Sequence, residues 1–197
     1  MRKAEDKKLQ LLDTGAILLS QHGYNGVGLK EVLSQCQVPK GSFYHYFDSK
    51  EDYVAQVVEH YQSGYDQMLD AYIAKTDITA LEKIRGISLG VIKYLDATDN
   101  RVGCLLGSLT AEVAGNNEGV RKAVGKAYDR WKGHYYPLFE QAQQAGELRD
   151  DVGAQQLADI FWNQWQGALL RMQIERSSKI LEQSLELLLD ILFKPGQ

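Results

Sequence analysis

The chain has 197 residues, 44% of them apolar and 24% charged, with three prolines and two cysteines; this excludes a disordered, collagen-like or Pro-rich chain and leaves room for one or two domains with a core that needs no disulfide staples. No apolar run approaches the ~20 residues that cross a bilayer, the start MRKAEDKKLQ lacks the apolar region of a secretory signal, and Cys36 and Cys104 have no CxxC spacing, so a reducing cytoplasm and no membrane partner are expected. The net charge is −4, yet residues 1–50 hold seven Lys/Arg against five Asp/Glu, a net +2 on a remainder of −6, so any polyanion is expected to meet the N-terminal end.

Apolar residues recur at helical spacing from the start. Leu9, Leu12, Ala16 and Leu19 predict a helix over residues 7–22 with Gly23 as its stop. Leu29, Val32 and Leu33 predict a short second helix ending near Cys36, before Pro39. Residues 40–46 read as a third, very short helix. Ser49, with Asp52 three residues on, matches a capping box and opens a long amphipathic stretch from Tyr53 to Tyr72. Helical spacing resumes after Asp77, with Leu81, Ile84, Ile87, Leu89, Val91, Ile92 and Leu95. A polar loop is expected at residues 96–101, a short helix at 104–113, a turn at Gly115-Asn116-Asn117, and helices over 119–145, 153–175 and 178–193. No segment alternates as a strand does, so the class is all-α, with a compact head at residues 1–47 and a larger helical body at 48–197.

Strings associated with catalysis lack their context. Gly86-Ile87-Ser88-Leu89-Gly90 spells a nucleophile elbow, but that chemistry needs a preceding strand, and here the pattern is helical. Gly119 to Lys126 resembles a phosphate loop with one residue too many and no following Ser/Thr. His22, His45, His60 and His134 have no paired metal spacing. Glu112 and Glu118 read as ordinary helix or turn carboxylates. No catalytic residue, metal or cofactor is expected.

The head carries the specific signal. Residues 29–36 and 40–46 make a helix-turn-helix pattern, whose second helix enters the major groove of a duplex. In Lys40-Gly41-Ser42-Phe43-Tyr44-His45-Tyr46-Phe47, the phenylalanines four apart share a buried face. Ser42, Tyr44, His45 and Tyr46 then point elsewhere, as donors to phosphates and bases. Gly41 permits close backbone approach. Lys50 in the first turn of a helix is unfavourable beside the helix dipole unless an anion joins it.

From Gly23 to Glu51 the sequence resembles the DNA-binding head of the tetracycline-repressor (TetR/AcrR) family. The resemblance rests on Val38, Lys40, Gly41, Ser42, Tyr44, Tyr46, Phe47, Ser49, Lys50 and Glu51, and residues 9–23 resemble the family's first helix. It implies a homodimer on a palindromic double-stranded DNA operator, with a divergent effector-binding and dimerisation body. By position Lys30, Ser42, Tyr44, His45 and Lys50 resemble the family's DNA contacts, and Lys40 and Gly41 join them. The sequence departs from the family at Gly28, where a capping Thr is usual, and at Leu33 and Gln37, which replace a small residue and the turn glycine; the second helix is expected to pack and aim differently.

In the body, residues 103–113 (GCLLGSLTAEV) resemble the branch that includes the N-ethylmaleimide-reductase repressor, whose members sense electrophiles through a cysteine here. A helix N-terminus near Cys104, aided by Arg101, favours the thiolate; the other reading is an inert buried thiol. Tyr61, Tyr128, Trp131, Tyr135, Trp162 and Trp165 are candidates to line an effector pocket, though each is also explained as core. Trp131 and Tyr135 share a face; of Trp162 and Trp165, one is expected toward the pocket and the other toward a partner subunit. The last two helices, with Leu157, Ile160, Phe161, Leu169, Met172, Leu181, Leu185, Leu188, Ile191 and Leu192, are expected to serve both core and dimer interface. The expected function is a repressor released by a small electrophilic or aromatic effector. A passive pocket for a neutral metabolite, and a helical scaffold or enzyme with a relic head, are the alternatives.

Overall fold

A computed structural model of the chain describes residues 2–98, 102–113 and 115–196, and every regular element among them is helical, as the spacing predicts. The chain divides into two compact units, Met1–Tyr65 with Gly103–Tyr128, and Asp66–Val102 with Asp129–Gln197.

The first unit contains α1 (Arg2–Gly26), α2 (Leu29–Gln35), α3 (Lys40–Phe43), α4 (Lys50–Ile73) as far as Tyr65, α6 (Leu105–Val113) and the start of α7 (Glu118–Gln144). Helix α1 packs on α2 and α6, burying Leu11, Leu12, Leu18 and Leu19. The expected stop at Gly23 is a break: its φ of 69° and ψ of −177° interrupt the helix, and one further turn runs to Gly26. Ser49 caps α4, its Oγ accepting from the Asp52 amide at 3.0 Å. The reciprocal bond of the expected box is displaced by one residue: the Asp48 amide, not that of Ser49, donates to Asp52 Oδ2, because aspartate is a methylene shorter than glutamate.

The second unit contains the rest of α4 and α7, with α5 (Ala80–Asp96), α8 (Ala154–Glu175) and α9 (Lys179–Glu186). Thr79 and Glu82 close a reciprocal capping box at the start of α5, with bonds of 3.3 and 2.7 Å. Ser88 is buried inside α5 and donates to the Ile84 carbonyl, so the elbow string is helix interior. The phosphate-loop string is likewise helical, inside α7. Gly146, at φ 72°, ends α7 in a Schellman turn, with Glu147 N donating to Ala142 O and Gly146 N to Gln143 O.

The final helix expected over 178–193 splits. Its last turns, Leu187–Leu192, are π-helical, and Phe193 N reaches Leu188 O at 2.8 Å. Of the apolar stripe on α8, α9 and this segment, Leu157, Phe161, Leu169, Met172, Leu181, Leu185 and Leu188 are buried; Ile160, Ile191 and Leu192 are exposed, as are Leu170 and Ile174, the last at 81%. Of the expected 96–101 loop, Asp99, Asn100 and Arg101 lie outside the described residues, so the contribution expected of Arg101 does too. No helix is long and apolar enough to cross a membrane among the described residues.

Candidate nucleic-acid interface

The turn between α2 and α3 is a Schellman motif. Val38 N donates to Leu33 O at 2.9 Å and Gln37 N to Ser34 O at 3.2 Å, with Gln37 at φ 52°. This is the left-handed position that glycine fills without strain. Gln37 adopts it because burial of Val38 and Leu33 fixes the chain on both sides. At the other end of α2, the N-cap Gly28 is extended (φ −91°, ψ 141°) and offers no side-chain cap. The two departures from the family pattern are thus visible as a capless start and a strained finish to one helix.

Pro39 N-caps α3, a single turn prolonged by Tyr46 N to Phe43 O at 2.9 Å and Phe47 N to Phe43 O at 3.1 Å. Phe43 and Phe47 are fully buried and meet Tyr53 of α4 at ring-centroid distances of 5.5 and 4.8 Å. This aromatic triad holds the short helix, which could not persist alone. With that face inward, Lys40, Gly41, Tyr44 and His45 are exposed, Tyr44 at 55%, and Ser42 and Tyr46 are half-buried. Lys30 on α2 is exposed too. Outward hydroxyl, phenol, imidazole and ammonium groups on a fixed helix turn are a donor set for phosphates and base edges.

Lys50 stands differently. Its ammonium donates to Tyr24 O and Val27 O, each at 2.7 Å, and lies 4.3 Å from the Tyr24 ring centroid. Burial lowers its pKa, and Glu112 opposes that shift. Two of its three N–H donors therefore tie the link between α1 and α2 to the first turn of α4.

Sequence reasoning passed over the carboxylates around this link. Glu112 Oε2, on α6, accepts from Asn25 N at 3.0 Å and Asn25 Nδ2 at 3.1 Å, and Glu51 accepts from Gly119 N at 3.1 Å. The one local signal was Gly23, where a Cβ would overlap the Glu112 carboxylate.

The candidate effector residues fall in both units. Cys104, Tyr61 and Tyr128 lie in the first and all three are half-buried. Cys104 directly precedes α6, its carbonyl accepting from Ser108 N at 3.0 Å. Trp131, Tyr135, Trp162 and Trp165 lie in the second. There Trp131 stacks on Tyr135 at 4.5 Å and meets Trp162 at 4.6 Å; Tyr135 stacks on Phe161, and Phe161 on Trp165, each at 5.9 Å. Trp131, Tyr135 and Trp165 are buried and Trp162 half-buried, so the rings pack chiefly against one another.

Residues 11–57, which span this head, match the family model for bacterial regulatory proteins of the tetR family, and residues 80–188 match the tetracyclin repressor-like C-terminal domain. The chain belongs to the TetR family. It is a DNA-binding transcriptional regulator with an N-terminal helix-turn-helix and a helical C-terminal body. It is 33% identical to the transcriptional regulator AcuR of Cereibacter sphaeroides, over 88% of this chain and 81% of that protein. It is 31% identical to the HTH-type transcriptional repressor NemR of Escherichia coli K12, over 97% and 96%. Among solved structures, a TetR regulatory protein from Rhodobacter sphaeroides superposes with TM-score 0.87 at 31% identity, covering 91% of this chain and 95% of that one. The reduced form of E. coli NemR gives 0.78 at 31% identity, covering 94% and 96%.

Proposed function

We propose that this TetR-family member is a cytoplasmic, homodimeric, non-enzymatic repressor that holds a palindromic operator and releases it when a small electrophile adds to Cys104. Residues 1–47 are the reading domain, and 48–197 the effector-binding and dimerisation domain. Lys30, Lys40, Gly41, Ser42, Tyr44 and His45 face the duplex, and Lys50 offers its remaining N–H to a phosphate. The observation that carries this reading is the outward Tyr44–His45 pair on a turn anchored by the buried Phe43–Phe47–Tyr53 triad.

Two heads must fit successive major grooves about 34–36 Å apart, so a modest change of separation suffices for release. The dimer is assigned to the exposed Ile160, Leu170, Ile174, Ile191 and Leu192 of α8 and the terminal π segment. The electrophile reading is supported by likeness to NemR, solved in a form described as reduced, and by the half-buried Cys104 at the start of α6. In the chemical step, the Cys104 thiolate sulfur bonds to the β-carbon of an α,β-unsaturated carbonyl compound. The displaced π electrons form an enolate, which takes a proton from water.

The test uses a palindromic fragment recovered from random-sequence DNA by the wild-type protein. N-ethylmaleimide should release wild type and leave Cys104→Ser bound, with equal operator affinity before treatment. If Cys104→Ser is released as fully as wild type, covalent sensing is wrong. Loss of release on truncating the half-buried Trp162 would then favour a passive aromatic site.

A further inference from the structure

The link between α1 and α2 sets where α2 and α3 stand, and it is gripped from two sides. A cation on α4, Lys50, takes the carbonyls of Tyr24 and Val27. An anion on α6, Glu112, takes the backbone and side-chain N–H groups of Asn25 between them. Gly23 makes the second grip possible, since any Cβ at that position would occupy the space of the Glu112 carboxylate. The bend at Gly23, with its left-handed φ of 69°, lies two residues before Asn25, whose amide donates to α6.

We propose that Glu112 is a positioning residue for DNA reading, a carboxylate latch that fixes the link between α1 and α2 at Asn25 and with it the orientation of the helix-turn-helix. Glu112 stands in the last turn of the nine-residue helix α6, at the end away from Cys104. The latch stands independently of Cys104 as the sensing thiol.

The experiment compares wild type, Glu112→Ala, Glu112→Gln and Asn25→Ala on the selected palindromic fragment and on a random duplex, before and after N-ethylmaleimide, with Cys104 occupancy read by mass spectrometry. Before alkylation, Glu112→Ala should bind the operator about fivefold more weakly, as loss of one or two hydrogen bonds implies, with random-duplex affinity unchanged. Glu112→Gln should fall between, since its carbonyl still accepts from Asn25 but brings no charge to Lys50. A residue that only stabilised the fold would weaken both DNAs together. Asn25→Ala cuts the same contact from the other side and serves if Glu112→Ala folds poorly. Operator affinity within twofold of wild type in both Glu112→Ala and Asn25→Ala overturns the latch. Wild type that is fully alkylated yet stays bound overturns the sensing role of Cys104 instead, and leaves the unalkylated comparison to decide the latch.

Discussion

The hydroxyl of Tyr53 on α4 donates to the carbonyl oxygen of Leu11 on α1 at 2.7 Å in a buried setting, and Gly15, one turn along α1, supplies the space: a Cβ there would collide with the Tyr53 hydroxyl and with Val57. Alanine is the better helix former by about 1 kcal/mol, but overpacking a core costs about 1–3 kcal/mol. Gly15→Ala is expected to lower stability by about 1 kcal/mol in urea denaturation. A stabilised variant would show that the Tyr53 ring moves aside freely.

The same phenol gives a pH dependence. Burial, reinforced by Cys36, pushes its pKa well above the usual 10.0, so the folded state resists ionisation that the unfolded state accepts. The contribution is complete below pH 10 and is lost as pH rises beyond it. Tyr53→Phe gives up about 1 kcal/mol at neutral pH but should show a shallower fall of stability between pH 10 and 12. Parallel curves for the two proteins would exclude Tyr53 as the source.

Gln37 holds a left-handed turn at φ 52°, a conformation that costs a residue with a Cβ about 1–2 kcal/mol. Gln37→Gly therefore relieves strain without altering the Schellman bonds, and the melting temperature is expected to rise by an amount equivalent to about 1 kcal/mol. Its side chain is exposed, so no packing is forfeited. An unchanged or lower melting temperature would argue against strain there.

The start of α2 invites the opposite change. Gly28 is extended and no atom lies within 4 Å of an added Cβ. Gly28→Thr should add a hydroxyl cap for the first-turn amides and restrict the unfolded chain, together about 0.5–1 kcal/mol. Hydrogen exchange of the α2 amides is the direct check: slower exchange is expected, and faster exchange would mean the cap is not made.

On DNA, Tyr44→Ala should cost the operator about 1–3 kcal/mol while random duplex binding changes little. Lys40→Ala should weaken both equally and reduce the salt slope of binding by about one. Neither should shift the melting temperature, because both side chains are exposed. Equal losses on both DNAs for Tyr44→Ala would reduce that residue to a phosphate anchor.

The helical class, the helix-turn-helix and the inward and outward faces of residues 40–47 follow from local information: apolar spacing, Pro39, and two phenylalanines one helical turn apart. The family resemblance marks Gly28 and Gln37 as departures, and what they do is local, since cap and turn preferences depend on neighbouring backbone alone. The identity of the groups around Lys50 and Asn25 did not follow, because Glu112 lies 87 residues from Asn25 in the chain and only the packing of α6 on α1 brings them together. The aromatic residues of the body illustrate the same divide. Helical spacing put Trp131 and Tyr135 on one face, but only the crossing of α7 and α8 determined that Trp162 and Phe161 would meet them, as periodicity specifies a side chain's direction from its own helix and not the partner it finds there.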